Sequence, residues 1–209
     1  MQRTVFTIGH STHRLEEFMG LLSQHGITAL CDVRSNPYSR FNPQFNREDL
    51  EKALLARGIA YRFLGKELGA RSDDPACYED GKVQYDRIAK TELFESGVRR
   101  VQRGINQDFR ISLMCAEKEP LECHRTILVA RRLADLGLDV QHIHSSGELE
   151  SHADALSRLA RMLNLAEDDL FRSREELLAD AYYCQGQRIA YEAEENVAEE
   201  TPVLRNAGG

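Results

Sequence analysis

Five short apolar segments alternate along this sequence with longer segments whose apolar residues recur every three to four positions. The short segments, each typical of a buried strand, span residues 5–11, 27–35, 59–65, 109–116 and 140–146. Several of the intervening helical patterns stop at a glycine, as at Gly26, Gly58 and Gly137. Strands that alternate with helices form a mainly parallel sheet covered on both faces. We therefore predict an α/β fold, a three-layer sandwich with a mainly parallel sheet of about five strands.

The distribution of charge separates a main body from a C-terminal extension. From Asn164 onward the sequence has 11 acidic and 4 basic residues, which accounts for the whole net charge of -7. A chain of 209 residues is long enough for one well-filled core and too short for two ordinary domains. We predict an α/β domain over residues 1–163, followed by an acidic helical extension with a frayed tail over residues 164–209.

Several classes of protein are disfavoured by what the sequence lacks. No apolar run is long enough to cross a bilayer, and residues 1–11 have no secretory signal pattern. The number of cysteines, five, is odd and argues against a disulfide framework. We expect a cytoplasmic protein with reduced thiols and no membrane partner.

Polar residues gather where three of the predicted strands end. The first strand leads to His10 and Ser11, the second to Asp32 and Arg34, and the fourth to Cys115 and Glu117. The next helix then begins near Cys123, His124 and Arg125. The carboxyl ends of parallel strands form one edge, where ligands commonly bind. Since a helix N-terminus favours anions and arginine binds phosphate through two hydrogen bonds, Arg34 and Arg125 predict a phosphate site.

Each of these residues also has an ordinary structural interpretation. His10 is a candidate proton shuttle or a turn cap, and Asp32 is a catalytic candidate or half of a buried ion pair with Arg34. Glu117 could act as a general acid or base or be a solvated charge. Cys115 could be a small buried apolar residue, whereas Cys123 could be a nucleophile or a helix cap. The sequence leaves these alternatives open.

The spacing of the cysteines argues against two known arrangements. A phosphatase loop needs arginine six residues after its cysteine, and Leu121 stands six residues after Cys115. Two cysteines separated by seven residues, the second followed by His124, are not a usual metal knuckle. Neighbouring Cys123 and His124 seldom reach one ion, and His10 would have to be the fourth ligand. We therefore predict no metal site, and a redox pair needs cysteine β-carbons within roughly 4.5 Å.

Two further segments suggest partners. The loop over residues 34–47 interleaves three arginines with Tyr38, Phe41 and Phe45, a mixture that suits nucleic acid, with Arg40 contacting phosphate. The alternative is that at least one of the two phenylalanines is buried and anchors the loop. In the C-terminal helix an apolar stripe suits either the body of the protein or a second copy in a homo-oligomer. The stripe consists of Leu177, Leu178, Ala181 and Tyr182.

The ordered segments TIGHS, DVRSNPYSRFNPQFN, GIAYRFLGKELGAR, LMCAEKEPLECHR and VQHIH resemble the DUF488 family over about residues 5–145. The tail segment AYYCQGQRIAY resembles the longer members. One departure is Ala70, where the family tends to have a second glycine. The resemblance implies a compact α/β domain and no particular reaction. It also implies a shared set of residues, namely His10, Ser11, Asp32, Arg34, Cys115, Glu117, Cys123, His124 and Arg125.

The sequence thus favours an enzyme, a hydrolase or transferase that acts on a phosphate-bearing substrate such as a nucleotide or nucleic acid. The candidate catalytic residues are His10, Asp32, Cys115, Glu117, Cys123 and His124. The candidate anion-binding residues are Ser11, Arg34, Arg40 and Arg125. The sequence requires no cofactor. The alternatives are a DNA- or RNA-binding module without catalysis and, less favoured, a thiol-based metal or redox sensor.

Overall fold

The structure, a computed structural model, describes residues 3–165 and 172–193. Its strands are β1 (Thr4–Gly9), β2 (Ala29–Asp32), β3 (Ala60–Phe63), β4 (Tyr78–Glu79), β5 (Lys82–Val83), β6 (Ile111–Cys115), β7 (Asp139–Ile143) and β8 (Leu149–Ser151). Its α-helices are α1 (Leu15–Gln24), α2 (Arg47–Leu55), α3 (Gly65–Leu68), α4 (Tyr85–Ile88), α5 (Glu92–Asn106), α6 (Arg131–Asp135), α7 (His152–Met162) and α8 (Arg174–Ile189). A π-helix, Arg125–Ala130, leads directly into α6.

Six strands form the central sheet in the order β3-β2-β6-β1-β7-β8. All neighbouring pairs are parallel except β7 and β8, which are antiparallel. The α/β prediction with a mainly parallel sheet is therefore confirmed, with one short edge strand more than expected. In the register, Gly9 lies beside Cys115 and Asp32 beside Met114, so β2, β6 and β1 end side by side.

The two faces of the sheet carry separate apolar cores. Phe6, Ile8 and Met114 contribute to the core beneath α1 and α2. Val5 and Leu113, which alternate with them, contribute to the larger core beneath α5 and the C-terminal helices. Because successive side chains in a strand point to opposite faces, the same alternation decides which core each polar residue at the strand ends approaches.

The sequence pattern predicts a helical stretch over about residues 83–105 that Gly97 could divide, and the structure divides it elsewhere. The break lies before Thr91, whose side-chain oxygen accepts a hydrogen bond from the backbone N–H of Phe94 and caps α5. Gly97 lies inside α5 because α3 packs against it: a β-carbon there would come within 2.8 Å of the side chains of Glu67 and Leu68. This glycine therefore permits close helix packing.

Two further segments differ from the sequence prediction. The pattern of residues 148–163 predicts one helix, but residues 149–151 form β8. The helix α7 begins only after Ser151, whose hydroxyl accepts a hydrogen bond from the N–H of Asp154. Residues 66–82 are polar and contain glycines, which predicts only a connection, but α3 and the β4–β5 hairpin lie in this region. Both strands of the hairpin are two residues long, too short for their alternation to be visible in the sequence.

The C-terminal helix α8 packs against the body of the domain. Leu177, Ala181 and Tyr182 are buried in the larger core, and the side-chain amide of Gln185 donates to the carbonyl of Leu121 at 2.8 Å. The apolar stripe of α8 therefore packs against the body of the domain, one of the two partners considered for it. The predicted frayed tail lies outside the described residues.

A buried chain of hydrogen bonds joins β1, β7, α7 and α8. Thr7 Oγ1 lies 2.8 Å from His142 Nδ1, His142 Nε2 lies 3.0 Å from His152 Nδ1, and His152 Nε2 lies 2.7 Å from the Tyr182 hydroxyl. Burial lowers the pKa of His152 to about 4 and that of His142 well below its usual range. Both rings are therefore neutral near pH 7, in keeping with a structural role.

Among the helices described, none has both the length and the apolar composition required to span a membrane.

Candidate functional site

The carboxyl edge of the sheet holds a buried ion pair on its α1–α2 side. Asp32 Oδ1 accepts from Arg34 Nε at 2.9 Å, while Oδ2 accepts from Arg34 Nη2 at 2.6 Å and from the Tyr61 hydroxyl at 2.8 Å. Asp32 is completely buried and Arg34 is 5% exposed. Burial alone would lower the pKa of Arg34, but its bond to Asp32 outweighs this and raises it. Asp32 and Arg34 thus form the buried ion pair that the structural interpretation predicts.

His10 extends this ion pair. Arg34 Nη1 lies 3.1 Å from His10 Nε2, and since a guanidinium only donates, Nε2 is the acceptor. The ring hydrogen is then on Nδ1, which donates to the carbonyl of Ser11 at 2.9 Å. Burial and the charge of Arg34 lower the pKa of His10 to about 4. A neutral His10 therefore orients Arg34 and closes the turn at Ser11, and its role as a proton shuttle stays a prediction.

A second group lies at the same edge, on the opposite side of the sheet. Cys115 ends β6, and Cys123 and His124 immediately precede the π-helix. His124 Nδ1 lies 3.7 Å from Cys115 Sγ and 3.9 Å from Cys123 Sγ. Its Nε2 lies 3.0 Å from the carbonyl of Val33, which can only accept, so Nε2 carries the hydrogen and Nδ1 faces both sulfurs.

Cys123 lies at the helix start where the sequence predicts a bound phosphate. The N–H of Arg125 donates to Cys123 Sγ at 3.4 Å, and the N–H groups of Thr126 and Ile127 donate to the Cys123 carbonyl. Burial opposes ionisation of Cys123, but the hydrogen bond from Cys115 and the charge of Arg125 together lower its pKa well below the usual range. Burial and the same bond raise the pKa of Cys115. Of the two thiols, Cys123 is therefore the one whose ionisation its surroundings favour.

Glu117 completes the group. Its Oε2 accepts from Cys123 Sγ at 2.8 Å, and burial of the carboxyl, followed by the charge of Cys123, raises the pKa of Glu117. The Glu117 backbone lies so close to β1 that a β-carbon on Gly9 would be 1.9 Å from the Glu117 carbonyl oxygen. A glycine at position 9 is therefore required for the loop to lie here. We call Cys115, Glu117, Cys123 and His124 the cysteine cluster.

Arg125 supports this loop from within the protein. The side chain is completely buried, and its Nη1 and Nη2 donate to the carbonyls of Glu117 and Lys118 at 2.7 and 3.3 Å. Both bonds go to backbone oxygens of the chain itself, so Arg125 fixes the position of Glu117. Its predicted contact with a substrate anion stays a prediction.

A cavity of about 280 Å³ opens onto the cysteine cluster and is also lined by Arg34 and Arg71. Tyr85 and Tyr191 contribute aromatic walls, and the Arg71 guanidinium lies 4.0 Å from the centre of the Tyr191 ring. We call this space the edge cavity. The sequence pattern does not single out Arg71 or Tyr191, although both lie in segments that resemble the family, LGAR and AYYCQGQRIAY.

The remaining candidate residues lie away from the edge cavity. Ser11 lies in the turn after β1, and its N–H donates to the carbonyl of Ala116, just beyond β6, at 2.9 Å. Arg40 stands on the exposed loop, with its guanidinium 4.7 Å from the centre of the Phe41 ring. Phe41 is 77% exposed, whereas Phe45 is fully buried, so one phenylalanine anchors the loop as the structural interpretation expected.

The cluster has the composition of a metal site. The ligand atoms of its four residues, two sulfurs, one imidazole nitrogen and one carboxylate oxygen, all lie within 4.8 Å of one another. Two arguments used against a metal are therefore wrong. The neighbouring Cys123 and His124 do present atoms to one point, and the fourth group is Glu117 instead of His10, which Arg34 already engages.

Comparison with known proteins gives one finding. The family model described as "Domain of unknown function DUF488" matches residues 14–132. Neither the search of curated proteins nor the search of solved structures found a match.

Proposed function

The chain belongs to the DUF488 family, since the family model covers more than half of its 209 residues, and from that premise we propose that the edge cavity is an enzyme active site. Its substrate in this proposal bears a phosphate group and is of the nucleotide class, and the reaction is a hydrolysis or a group transfer. The family name itself carries no activity.

One observation carries the proposal: the edge cavity is lined both by the cysteine cluster and by the two arginines Arg34 and Arg71. Arginine recognises phosphate through paired hydrogen bonds, and the cluster supplies thiol, imidazole and carboxylate groups next to the place where such an anion would lie. Glu117 is the one member of the cluster with an exposed residue surface, although its carboxyl is turned inward to Cys123, and it is the member available as a general acid or base.

The two arginines support different roles. Arg34 is held by Asp32, His10 and the carbonyl of Phe45, so it offers the cavity a rigid, pre-oriented donor. Arg71 is exposed and rests on Tyr191 through a cation–π contact, which leaves its N–H groups for a ligand. We therefore assign the main phosphate contact to Arg71 and a supporting contact to Arg34.

Size and wall chemistry favour a mononucleotide. Ligand pockets commonly measure ~300–1,000 Å³, so a cavity of about 280 Å³ is at the small end of that range. Tyr85 and Tyr191 line the cavity with aromatic side chains, the residue type on which nucleobases stack.

The proposal is tested with the full chain by thermal shift against inorganic phosphate, nucleoside mono-, di- and triphosphates and phosphosugars. Compounds that stabilise the protein are then incubated with it, and products are detected by mass spectrometry. We expect stabilisation by a nucleotide and its slow conversion. Removing the charge in Arg71→Gln should weaken binding by about 10- to 100-fold, since a hydrogen bond to a charged group contributes about 1.5–3 kcal/mol.

Arg99→Gln is the matched control. Arg99 is an exposed arginine on α5 that pairs with Glu92 and does not line the edge cavity, so this variant should bind like the wild type. If no phosphate compound stabilises or is converted by the wild-type protein, or if Arg99→Gln weakens binding as much as Arg71→Gln, the proposed active site is wrong.

A second candidate, a nucleic-acid-binding module without catalysis, is favoured by the exposed pair Arg40 and Phe41. It predicts salt-sensitive binding of single-stranded oligonucleotides that weakens in Phe41→Ala and is unchanged in Arg71→Gln. The opposite pattern supports the edge cavity.

A further inference from the structure

We propose that the cysteine cluster is a binding site for one zinc-class divalent cation, coordinated by Cys115 Sγ, Cys123 Sγ, His124 Nδ1 and a carboxylate oxygen of Glu117. The inference concerns the same cavity as the proposed enzyme and stands without it, because coordination can be measured in the absence of any substrate.

The distances within the cluster are close to those of a tetrahedral zinc site. With Zn–S of about 2.3 Å and Zn–N of about 2.0–2.1 Å, a tetrahedron places sulfur and nitrogen about 3.6 Å apart. The two observed Sγ–Nδ1 distances are 3.7 and 3.9 Å. No ligand atom is more than 4.8 Å from another, so small side-chain movements bring all four to one centre.

The imidazole is already oriented as a ligand. His124 Nε2 donates to the carbonyl of Val33, and this fixes both the ring plane and the tautomer with a free lone pair on Nδ1. In metal sites the second ring nitrogen of a ligating histidine almost always makes such a bond, which fixes the ligand in place. His124 is buried, with only 6% of its surface exposed.

The sulfurs are placed to bind as thiolates. Cys123 Sγ receives the N–H of Arg125, a hydrogen bond that stabilises negative charge on sulfur. The thiol hydrogen that Cys123 now shares with Glu117 at 2.8 Å would pass to solvent when the cation enters, as would that of Cys115. The sulfur and carboxylate oxygen would then separate to about 3.6 Å, the edge of a tetrahedron around zinc.

The donor set selects the kind of ion. Two thiolates, one imidazole and one carboxylate suit a borderline-soft cation such as Zn²⁺, whereas Mg²⁺ and Ca²⁺ prefer oxygen ligands. Three of the four ligands are buried, while Glu117 is exposed at the edge cavity. Glu117 is therefore the ligand that a water molecule or substrate would displace, an arrangement found in catalytic rather than structural zinc sites.

The test uses the full chain, stripped of metal by dialysis against a chelator and titrated with Co²⁺ as a spectroscopic probe. We expect one ion per chain, with thiolate-to-cobalt charge-transfer bands and the intense visible bands of tetrahedral cobalt. Added Zn²⁺ should abolish these bands. The wild-type spectrum alone reports thiolate ligation and geometry, so the test does not depend on the folding of any variant.

Variants then assign the ligands. Cys123→Ser should reduce the charge-transfer intensity by about half and weaken Co²⁺ binding by at least about 100-fold, because even a residue that only orients a ligand contributes 10- to 100-fold. Glu117→Gln should bind about 10-fold more weakly and keep tetrahedral bands. Cys184→Ser, which removes an exposed cysteine outside the cluster, should leave the titration unchanged.

Two results would overturn the proposal: wild-type protein that shows no cobalt–thiolate bands, or bands that disappear in Cys184→Ser and persist in Cys123→Ser. Turnover of a nucleotide by metal-free protein would refute a catalytic need for the ion and leave the proposed function standing. A bound ion without any turnover would support the metal site and count against the enzyme.

Discussion

Replacing Asp32 by asparagine should be among the most destabilising single changes near the candidate site. Asparagine has nearly the size of aspartate, so the change removes a charge and exchanges one acceptor oxygen for an amide that donates. That amide would face Arg34 Nη2 or the Tyr61 hydroxyl, both of which now donate to Asp32 Oδ2. The Arg34 guanidinium would remain buried without a counter-charge.

The magnitude follows from the burial of both partners. Asp32 is completely buried and Arg34 is 5% exposed, and breaking a buried ion pair by removing one partner costs about 3–5 kcal/mol. For a protein of 209 residues each kcal/mol lowers the melting temperature by about 2–4 °C, so Asp32→Asn should melt roughly 10 °C lower.

Urea unfolding is the appropriate assay, followed by circular dichroism because the chain has no tryptophan. Glu92→Gln, which breaks the exposed Glu92–Arg99 pair, is the matched control and should cost less than about 1 kcal/mol. If Asp32→Asn is destabilised no more than Glu92→Gln, the ion pair does not stabilise the fold and Arg34 is not held as described.

Two further predictions concern other parts of the fold. Because the pKa of His152 is about 4 in the folded protein and 6.5 in an unfolded chain, the unfolded state binds more protons below pH 6.5, and stability is lost as the pH falls from 6.5 toward 4. In urea unfolding, His152 should account for a loss of about 2 kcal/mol in the free energy of unfolding between pH 7 and pH 5. The prediction is contradicted if His152→Gln shows the same pH dependence of stability as the wild type. Gly9→Ala, whose β-carbon would meet the Glu117 carbonyl at 1.9 Å, should lower stability by about 1–3 kcal/mol, whereas Gly20→Ala on the open surface of α1 should raise it by about 0.5–1 kcal/mol. Equal melting temperatures for the two glycine variants would show that the approach at Gly9 is not required.

The edge of the sheet that carries the site could be predicted from the sequence because it depends on local patterns. Apolar strands ending at His10, Asp32 and Cys115, joined by helices that stop at glycine, are sufficient to place those three residues at one edge. The side of the sheet that each residue faces depends on the register between strands. Asp32 lies beside Met114, one residue before Cys115, and that pairing is not visible in any single strand.

The composition of the site could be predicted less well, because it depends on contacts between distant segments. Arg71 and Tyr191 are 120 positions apart and meet only when the extension folds back over the edge of the sheet. From the spacing alone, Cys123 and His124 are not expected to reach one ion, and His10 is the expected fourth ligand. Here Cys115 comes from a strand, Cys123 and His124 from a helix start, and the bond to Val33 aims the imidazole at both sulfurs.

The π-helix at Arg125–Ala130 determines how Cys123 and His124 are rotated relative to α6. A π-helix closes each turn with one residue more than an α-helix, so it acts as a single-residue insertion between the cluster and α6. If the same six residues formed ordinary α-helical turns, the extra residue would no longer be absorbed and everything before it would rotate by about 100° relative to α6. Cys123 and His124 would then turn away from Cys115 and Val33, although none of the four residues had changed. The phase of this helix, as much as the identity of its residues, therefore determines whether the chain has a site at all.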